Sequence, residues 1–206
     1  MKEDAKIALS KIESKWKPVI IYNLIHYGAQ RYTDFKKSIP EISSRMLTLK
    51  LHELTKDGII ERKHYETFPP KVVYSLSEKG QGLNNIFIKM NKWGEQHLQG
   101  IKLGYPHEDN PNNQCLAMVP LDIIKPKWVL DIIFQLKTSS LSFKQLLADI
   151  DGINKRILSL TLRKLKTEAI ISVIYSQGEK KYCLNSYGHT IFFIICELGY
   201  WNKEVC

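Results

Sequence analysis

The amino-acid sequence predicts a mainly α fold with small β-hairpins, an α+β architecture laid out twice in tandem. Three observations carry this reading. The chain repeats itself through a long series of ordered anchors. Each repeat contains two short amphipathic helices in succession. Each then continues into two β-rich runs separated by a turn.

The repeat comes first. Lys15-Trp16 is matched by Lys127-Trp128, and the apolar helical stretches VIIYNLI and VLDIIFQL follow them. Phe35-Lys36 is set against Phe143-Lys144, and residues 39–54 (IPEISSRMLTLKLHEL) align without a gap on 150–165 (IDGINKRILSLTLRKL). Ile59-Ile60 matches Ile170-Ile171, and Tyr74, Leu76, Gly80 and Trp93 match Tyr182, Leu184, Gly188 and Trp201. Two length differences fall where loops are expected, after the first long helix and between the late strands. The reading is two domains, 5–98 and 115–206, joined by a linker over 99–114 whose Gly, Pro and Asn residues mark a break.

Within copy one, residues 16–27 are apolar on several faces and predict a core helix ended by Gly28. A short amphipathic helix follows over 33–37, with Thr33 as its N-cap. The segment 42–54 is the next helix, with Ser43 able to cap it. Leu47, Leu51 and Leu54 recur at i, i+4 and i+7 as one buried stripe. The opposite face then carries Arg45, Thr48, Leu49 and His52, with Ser44 at its edge, and these together with Ser43 are the candidate DNA-contacting residues. Two helices joined by a tight turn, the second polar and basic outside, form a helix-turn-helix whose second helix fits a major groove about 12 Å wide.

Gly58 stops that helix. The runs IIERKHYE and KVVYSL then form a hairpin, the wing, around the stiff loop Thr67-Phe68-Pro69-Pro70. Arg62, Lys63, His64 and Lys71 give the wing positive charge suited to a phosphate backbone. A last helix is predicted over 81–98. Copy two follows the same plan, its reading helix presenting Lys155, Arg156, Ser159, Leu160 and Arg163. Its shorter wing has Gln177-Gly178 at the tip and Lys180 and Lys181 beside it.

Copy one resembles the HxlR family of bacterial winged helix-turn-helix regulators. The resemblance rests on Lys15-Trp16, Arg31-Tyr32-x-Asp34-Phe35, Ile39-Pro40-x-Ile42-Ser43, Met46-Leu47-Thr48 and Leu51-x-x-Leu54. It continues through Asp57-Gly58, Glu61-Arg62, Pro69-Pro70-Lys71-Val72-x-Tyr74-x-Leu76, Glu78-Lys79-Gly80 and Trp93-Gly94. Copy two resembles the family with departures: Ala169 replaces the turn glycine and the Pro-Pro wing is absent. The resemblance implies a regulator of operator DNA that dimerises through its first and last helices. With two copies in one chain, either they form an intramolecular pseudo-dimer covering two half-sites, or copy two only dimerises and two chains bind through copy one. Some members sense oxidants through a cysteine near the domain start, a position that Cys115 resembles. The alternative there is a plain linker cysteine.

Composition agrees with a partner of negative charge. The chain of 206 residues carries 30 Lys and Arg against 21 Asp and Glu, a formal net charge of +9. Residues 1–100 carry the larger share, so copy one is expected to hold double-stranded DNA more strongly. The four cysteines lack metal-like spacing, and the six histidines, read as surface or capping residues, form no ligand pair. No P-loop, G-x-S-x-G or paired-carboxylate motif is present. The apolar run 191–196 reads as a buried helix turn, too short to span a membrane. The expectation is a cytosolic transcription regulator that is not an enzyme and takes no cofactor. The competing class is a winged-helix interaction module that binds DNA weakly and without sequence preference.

Overall fold

The structure, a computed structural model, describes residues 1–68, 70–100, 115–176 and 178–204; side chains of 98–100 and 204 lie outside the description. Copy one runs α1 (Lys2–Ile12), α2 (Lys17–Tyr27), β1 (Gln30–Arg31), α3 (Tyr32–Ser38), α4 (Ser44–Lys56), β2 (Ile60–Tyr65), β3 (Lys71–Leu76), α5 (Glu78–Gln81) and α6 (Asn84–Gly100). Copy two runs α7 (Met118–Ile124), α8 (Val129–Gln135), β4 (Leu141–Ser142), α9 (Phe143–Asp149), α10 (Lys155–Thr167), β5 (Ile171–Ser176), β6 (Glu179–Leu184) and α11 (Ser186–Glu204). Each copy has a three-stranded antiparallel sheet, in the orders β1-β3-β2 and β4-β6-β5. Both copies are therefore winged helix-turn-helix units.

The elements form for local reasons. Pro18 sits in the first turn of α2, where its missing N–H costs nothing, and Gly28 ends the helix at φ 72°. Gly58 takes the left-handed conformation after α4 at φ 69°. Its counterpart Ala169 adopts the same conformation at φ 49°, so the substitution noted in the sequence is carried as backbone strain. The Gly80 and Gly188 matches have a packing cause. A Cβ on either would lie 2.0 or 2.1 Å from the carbonyl oxygen of Ile59 or Ile170.

Several sequence expectations need correction. β1 and β4, α3 and α9, and α4 and α10 are all offset by 111 residues, so Tyr32, not Phe35, stands where Phe143 stands in copy two. Phe35 pairs with Leu146, and both are fully buried. The N-cap of α3 is Arg31 rather than Thr33, and the Arg31 N–H donates to the Asp34 carboxylate at 2.8 Å. The last helix of copy one is broken after Gln81 into α5 and α6, whereas α11 is continuous. Within 191–196, Ile191, Ile194 and Ile195 are buried but Phe193 faces outward.

The two copies share one hydrophobic core. α1 packs on α11, so the first helix of copy one lies against the last of copy two; α6 packs on both α7 and α11, completing the reverse arrangement. Two tryptophans tie the crossing. The Trp93 Nε1–H donates to the Tyr187 carbonyl at 3.2 Å, and the Trp201 Nε1–H donates to the Lys79 carbonyl at 2.8 Å. Donors and acceptors are each 108 residues apart, so one bond is the pseudo-twofold image of the other. The chain is an intramolecular pseudo-dimer of winged-helix units.

Candidate nucleic-acid interface

The outward face of α4 follows from its cap and its leucines. The Ser43 hydroxyl accepts the Met46 N–H at 3.3 Å, fixing where the helix starts. Leu47, Leu51 and Leu54 are buried. That orientation leaves Ser44, Arg45, Thr48, Leu49 and His52 exposed. Two contacts set α3 against this helix: the Tyr32 hydroxyl donates to the Ser44 carbonyl at 3.0 Å, and Lys36 Nζ donates to the Ile42 carbonyl at 2.5 Å. The Thr48 hydroxyl bonds back to the Ser44 carbonyl at 3.0 Å, and Ser43 is engaged as the cap. The outward hydrogen-bonding reach of α4 thus comes chiefly from Ser44, Arg45 and His52.

At the base of α4, the buried Lys17 of α2 bridges Glu53 at 3.3 Å and Asp57 at 3.1 Å. Lys50 also reaches Glu53 at 2.9 Å. Hydrogen bonds from Lys50 and Lys17 hold the Glu53 carboxyl below its ordinary range despite some burial. Lys50 and Glu53 therefore anchor the helix rather than reach for a ligand.

α10 repeats the design with more charge. The Asn154 side chain accepts the Ile157 N–H at 2.9 Å, and Leu158, Leu162 and Leu165 are buried. Lys155, Arg156, Ser159, Leu160 and Arg163 are exposed. Arg163, Lys166 and Lys180 line a groove of about 240 Å³ between α10 and its wing, with Ser159, Phe143 and Tyr182. Lys180 Nζ lies 5.5 Å from the Tyr182 ring centroid, which holds the ammonium over that groove. Lys166 was missed from sequence, although it lies at i+7 from Ser159 and i+3 from Arg163, on the same face. α10 carries five cations and no acid, against three cations and one acid on α4. The balance on α4 and α10 runs opposite to that of the two halves of the chain.

The wings are unequal. In copy one, Tyr65 pairs with Lys71 across a five-residue loop; in copy two, Ser176 pairs with Glu179 across a two-residue loop whose Gly178 has φ 75°. Pro69 and Gln177 lie outside the described residues. Arg62, Lys63 and His64 are exposed on β2, and Lys71 is half-buried on β3. Successive strand residues face opposite ways, so Arg62 and His64 share one face and Lys63 occupies the other, paired with Glu61 at 3.1 Å. Lys180 and Lys181 are split the same way, with Lys181 half-buried. The wing cations are not all brought to one surface.

Cys115 lacks both properties a reactive thiol needs, exposure and a depressed pKa. It is buried, its Sγ lies 3.6 Å from the Pro18 carbonyl, and burial pushes its pKa up to about 12. The redox-sensing assignment fails at this residue. His97 departs from the surface reading of the histidines: it is buried, stacked on Trp93 at 4.3 Å. Its Nε2 stands 3.6 Å from a Glu168 oxygen, too far for a hydrogen bond. Burial lowers its pKa, outweighing the pull of Glu168. Among the described residues, no helix is long and apolar enough to cross a membrane, and no His, Cys, Asp and Glu cluster could hold a metal.

Residues 11–102 and 123–206 each match the HxlR-like helix-turn-helix family. Over 93 residues the chain is 46% identical to the HTH-type transcriptional regulator YdeP of Bacillus subtilis, covering 45% of this chain and 72% of that protein. Over 92 residues it is 36% identical to an HTH-type transcriptional regulator of Methanothermobacter thermautotrophicus, covering 45% of this chain and 70% of that one. Among solved structures, the redox regulator HypR in its reduced form is 41% identical, with a TM-score of 0.45 over 47% of this chain and 95% of that one.

Proposed function

From the premise that this chain belongs to the HxlR-like helix-turn-helix family, we propose that it is a transcription regulator that reads double-stranded DNA in sequence-specific fashion, using both copies. The domains are 5–98 and 115–206. α4 and α10 each enter a major groove, through Ser44, Arg45 and His52, flanked by Thr48 and Leu49, in the first and Lys155, Arg156, Ser159 and Arg163 in the second. Arg62 and His64, on one face of the first wing, and Lys180 of the second contact the flanking backbone, while Lys71 lies on the opposite face with Lys63.

One observation carries this reading. Each copy turns a capped helix leucine-side inward and leaves a polar, basic ridge exposed beside a wing. The five cations of α10 favour DNA contact by copy two over a purely dimerising role. A DNA-free interaction module has no need of that charge.

The test begins with selection of an operator from random DNA, then gel-shift titration. The wild type is expected to bind at about 10 nM or tighter. Arg45→Glu is expected to abolish specific binding, while Lys180→Ala weakens all sequences alike. Operator binding by Arg45→Glu at wild-type affinity would remove α4 from the reading surface. Weak, sequence-blind binding by the wild type would favour the interaction module.

A further inference from the structure

We propose that the contact between the two copies is pair-specific: copy one accepts copy two and rejects a second copy one, so one chain is the complete pairing unit. The inference goes beyond DNA reading and does not depend on it. It rests on which residues occupy equivalent places across the pseudo-twofold axis.

The first place is the crossing of α6 and α11. Lys89 and Glu197 are 108 residues apart, the same offset that relates the two tryptophan bonds, and they form an ion pair with each other. They are one position seen twice. A pair of copy-one units would set lysine against lysine there, and a pair of copy-two units glutamate against glutamate. Like charges so placed disfavour both.

The second place is where α1 meets α8. α1 and α7 align at an offset of 112: Ala5 with Ala117, Leu9 with Leu121 and Ile12 with Ile124, all buried. The same offset relates Trp16 and Trp128. Lys6 then corresponds to Met118, and Asp131 to Val19. In one half of the interface, Lys6 and Lys2 donate to the buried Asp131 carboxylate at 3.2 and 2.7 Å. Burial pushes Asp131 up, and the two lysines outweigh it, leaving its pKa below the ordinary carboxylate value. The corresponding pair in the other half, Met118 and Val19, is apolar and packs on the common core. Like-with-like pairing would set Lys6 against Val19, or Asp131 against Met118. The first leaves Lys6 with only Glu3 of its own helix, at 3.1 Å, and the second leaves the buried Asp131 carboxylate without either lysine.

The third place is a difference in shape. A Cβ on Gly199 would lie 3.0 Å from the Met1 carbonyl oxygen, and the Ala5 N–H beside it is already bonded to that carbonyl. The equivalent of Gly199 in copy one is Asn91, whose side chain accepts the Ala117 N–H at 3.1 Å. Asparagine suits α7, whereas a side chain at this place would crowd the start of α1. Three independent positions thus match copy one to copy two and mismatch each copy to itself.

The experiment reads stability and mass on the full chain without DNA. Asp131→Val with Glu197→Lys gives copy two the copy-one residues at two places. Its melting midpoint is expected to fall by about 5 °C. Adding Lys6→Met and Lys89→Glu to the same chain restores both matches and is expected to regain most of that loss. A four-substitution chain that melts at or below the two-substitution chain overturns the proposal, as does a two-substitution chain that melts like wild type. Should the two-substitution chain fail to fold, Glu197→Lys and its rescue by Lys89→Glu form the same cycle at surface positions. Light scattering of the wild type is expected to give the 23.9 kDa of one chain. Copurification of two differently tagged wild-type chains after co-expression would also overturn it.

Discussion

Replacing Trp201 by Phe isolates one bond across the copies. Trp201 is buried and donates its indole N–H to the Lys79 carbonyl at 2.8 Å. Phenylalanine keeps most of the apolar ring and loses the donor. The hydrogen bond itself contributes about 1 kcal/mol net, and a half-buried carbonyl left without its partner adds about 1 kcal/mol more. The destabilisation is therefore about 2 kcal/mol, which for a chain of this size lowers the melting midpoint by roughly 4–8 °C. Trp93→Phe breaks the mirror-image bond to Tyr187 and is expected to cost a similar amount, the two losses adding in the double variant. Calorimetry, or a thermal melt followed by far-ultraviolet circular dichroism, measures all three. An unchanged midpoint for Trp201→Phe, or a loss several-fold larger at one tryptophan than at the other, would refute the pseudo-symmetric lock.

Three further outcomes are expected. Arg163→Ala and Lys166→Ala, in the groove beside the second wing, are each expected to reduce the slope of log affinity against log salt by about 0.9, read from titrations at four or more salt concentrations. His97 resists protonation in the folded state, so its contribution to stability is complete above its unfolded value of 6.5 and is lost as pH falls below it. Denaturant melts are expected to show that acid loss in the wild type and a flatter profile in His97→Gln. Ala169→Gly relieves a left-handed alanine and is expected to stabilise the protein by about 1 kcal/mol, visible as a raised denaturant midpoint at constant slope.

Much of the fold was legible in the sequence because its strongest signals are local. The stripes Leu47, Leu51, Leu54 and Leu158, Leu162, Leu165 name their own buried faces, and Ser43 and Asn154 mark where the helices start. Repetition did the rest, since two divergent copies that keep the same anchors reveal what the fold needs. What stayed hidden depends on contacts between distant segments. Cys115 is covered by Pro18 of the other copy, and His97 by Tyr187 and Glu168 of the other copy, which no local periodicity reports. Nothing local in the sequence marks Lys17 for burial; Glu53 and Asp57 close over it from α4 and its C-terminal end. The match of Phe35 to Phe143 misled because residue identity agreed while the strand ahead of each helix set a register three residues away.

The unequal ridges of α4 and α10 give the molecule a head and a tail. A symmetric regulator cannot tell the two directions along a duplex apart. Under the proposed reading, turning a binding sequence end over end presents the five cations of α10 to bases chosen for α4. On that reading, inverting the element has a different outcome from moving it, and genes diverging from one such element need not receive the same instruction.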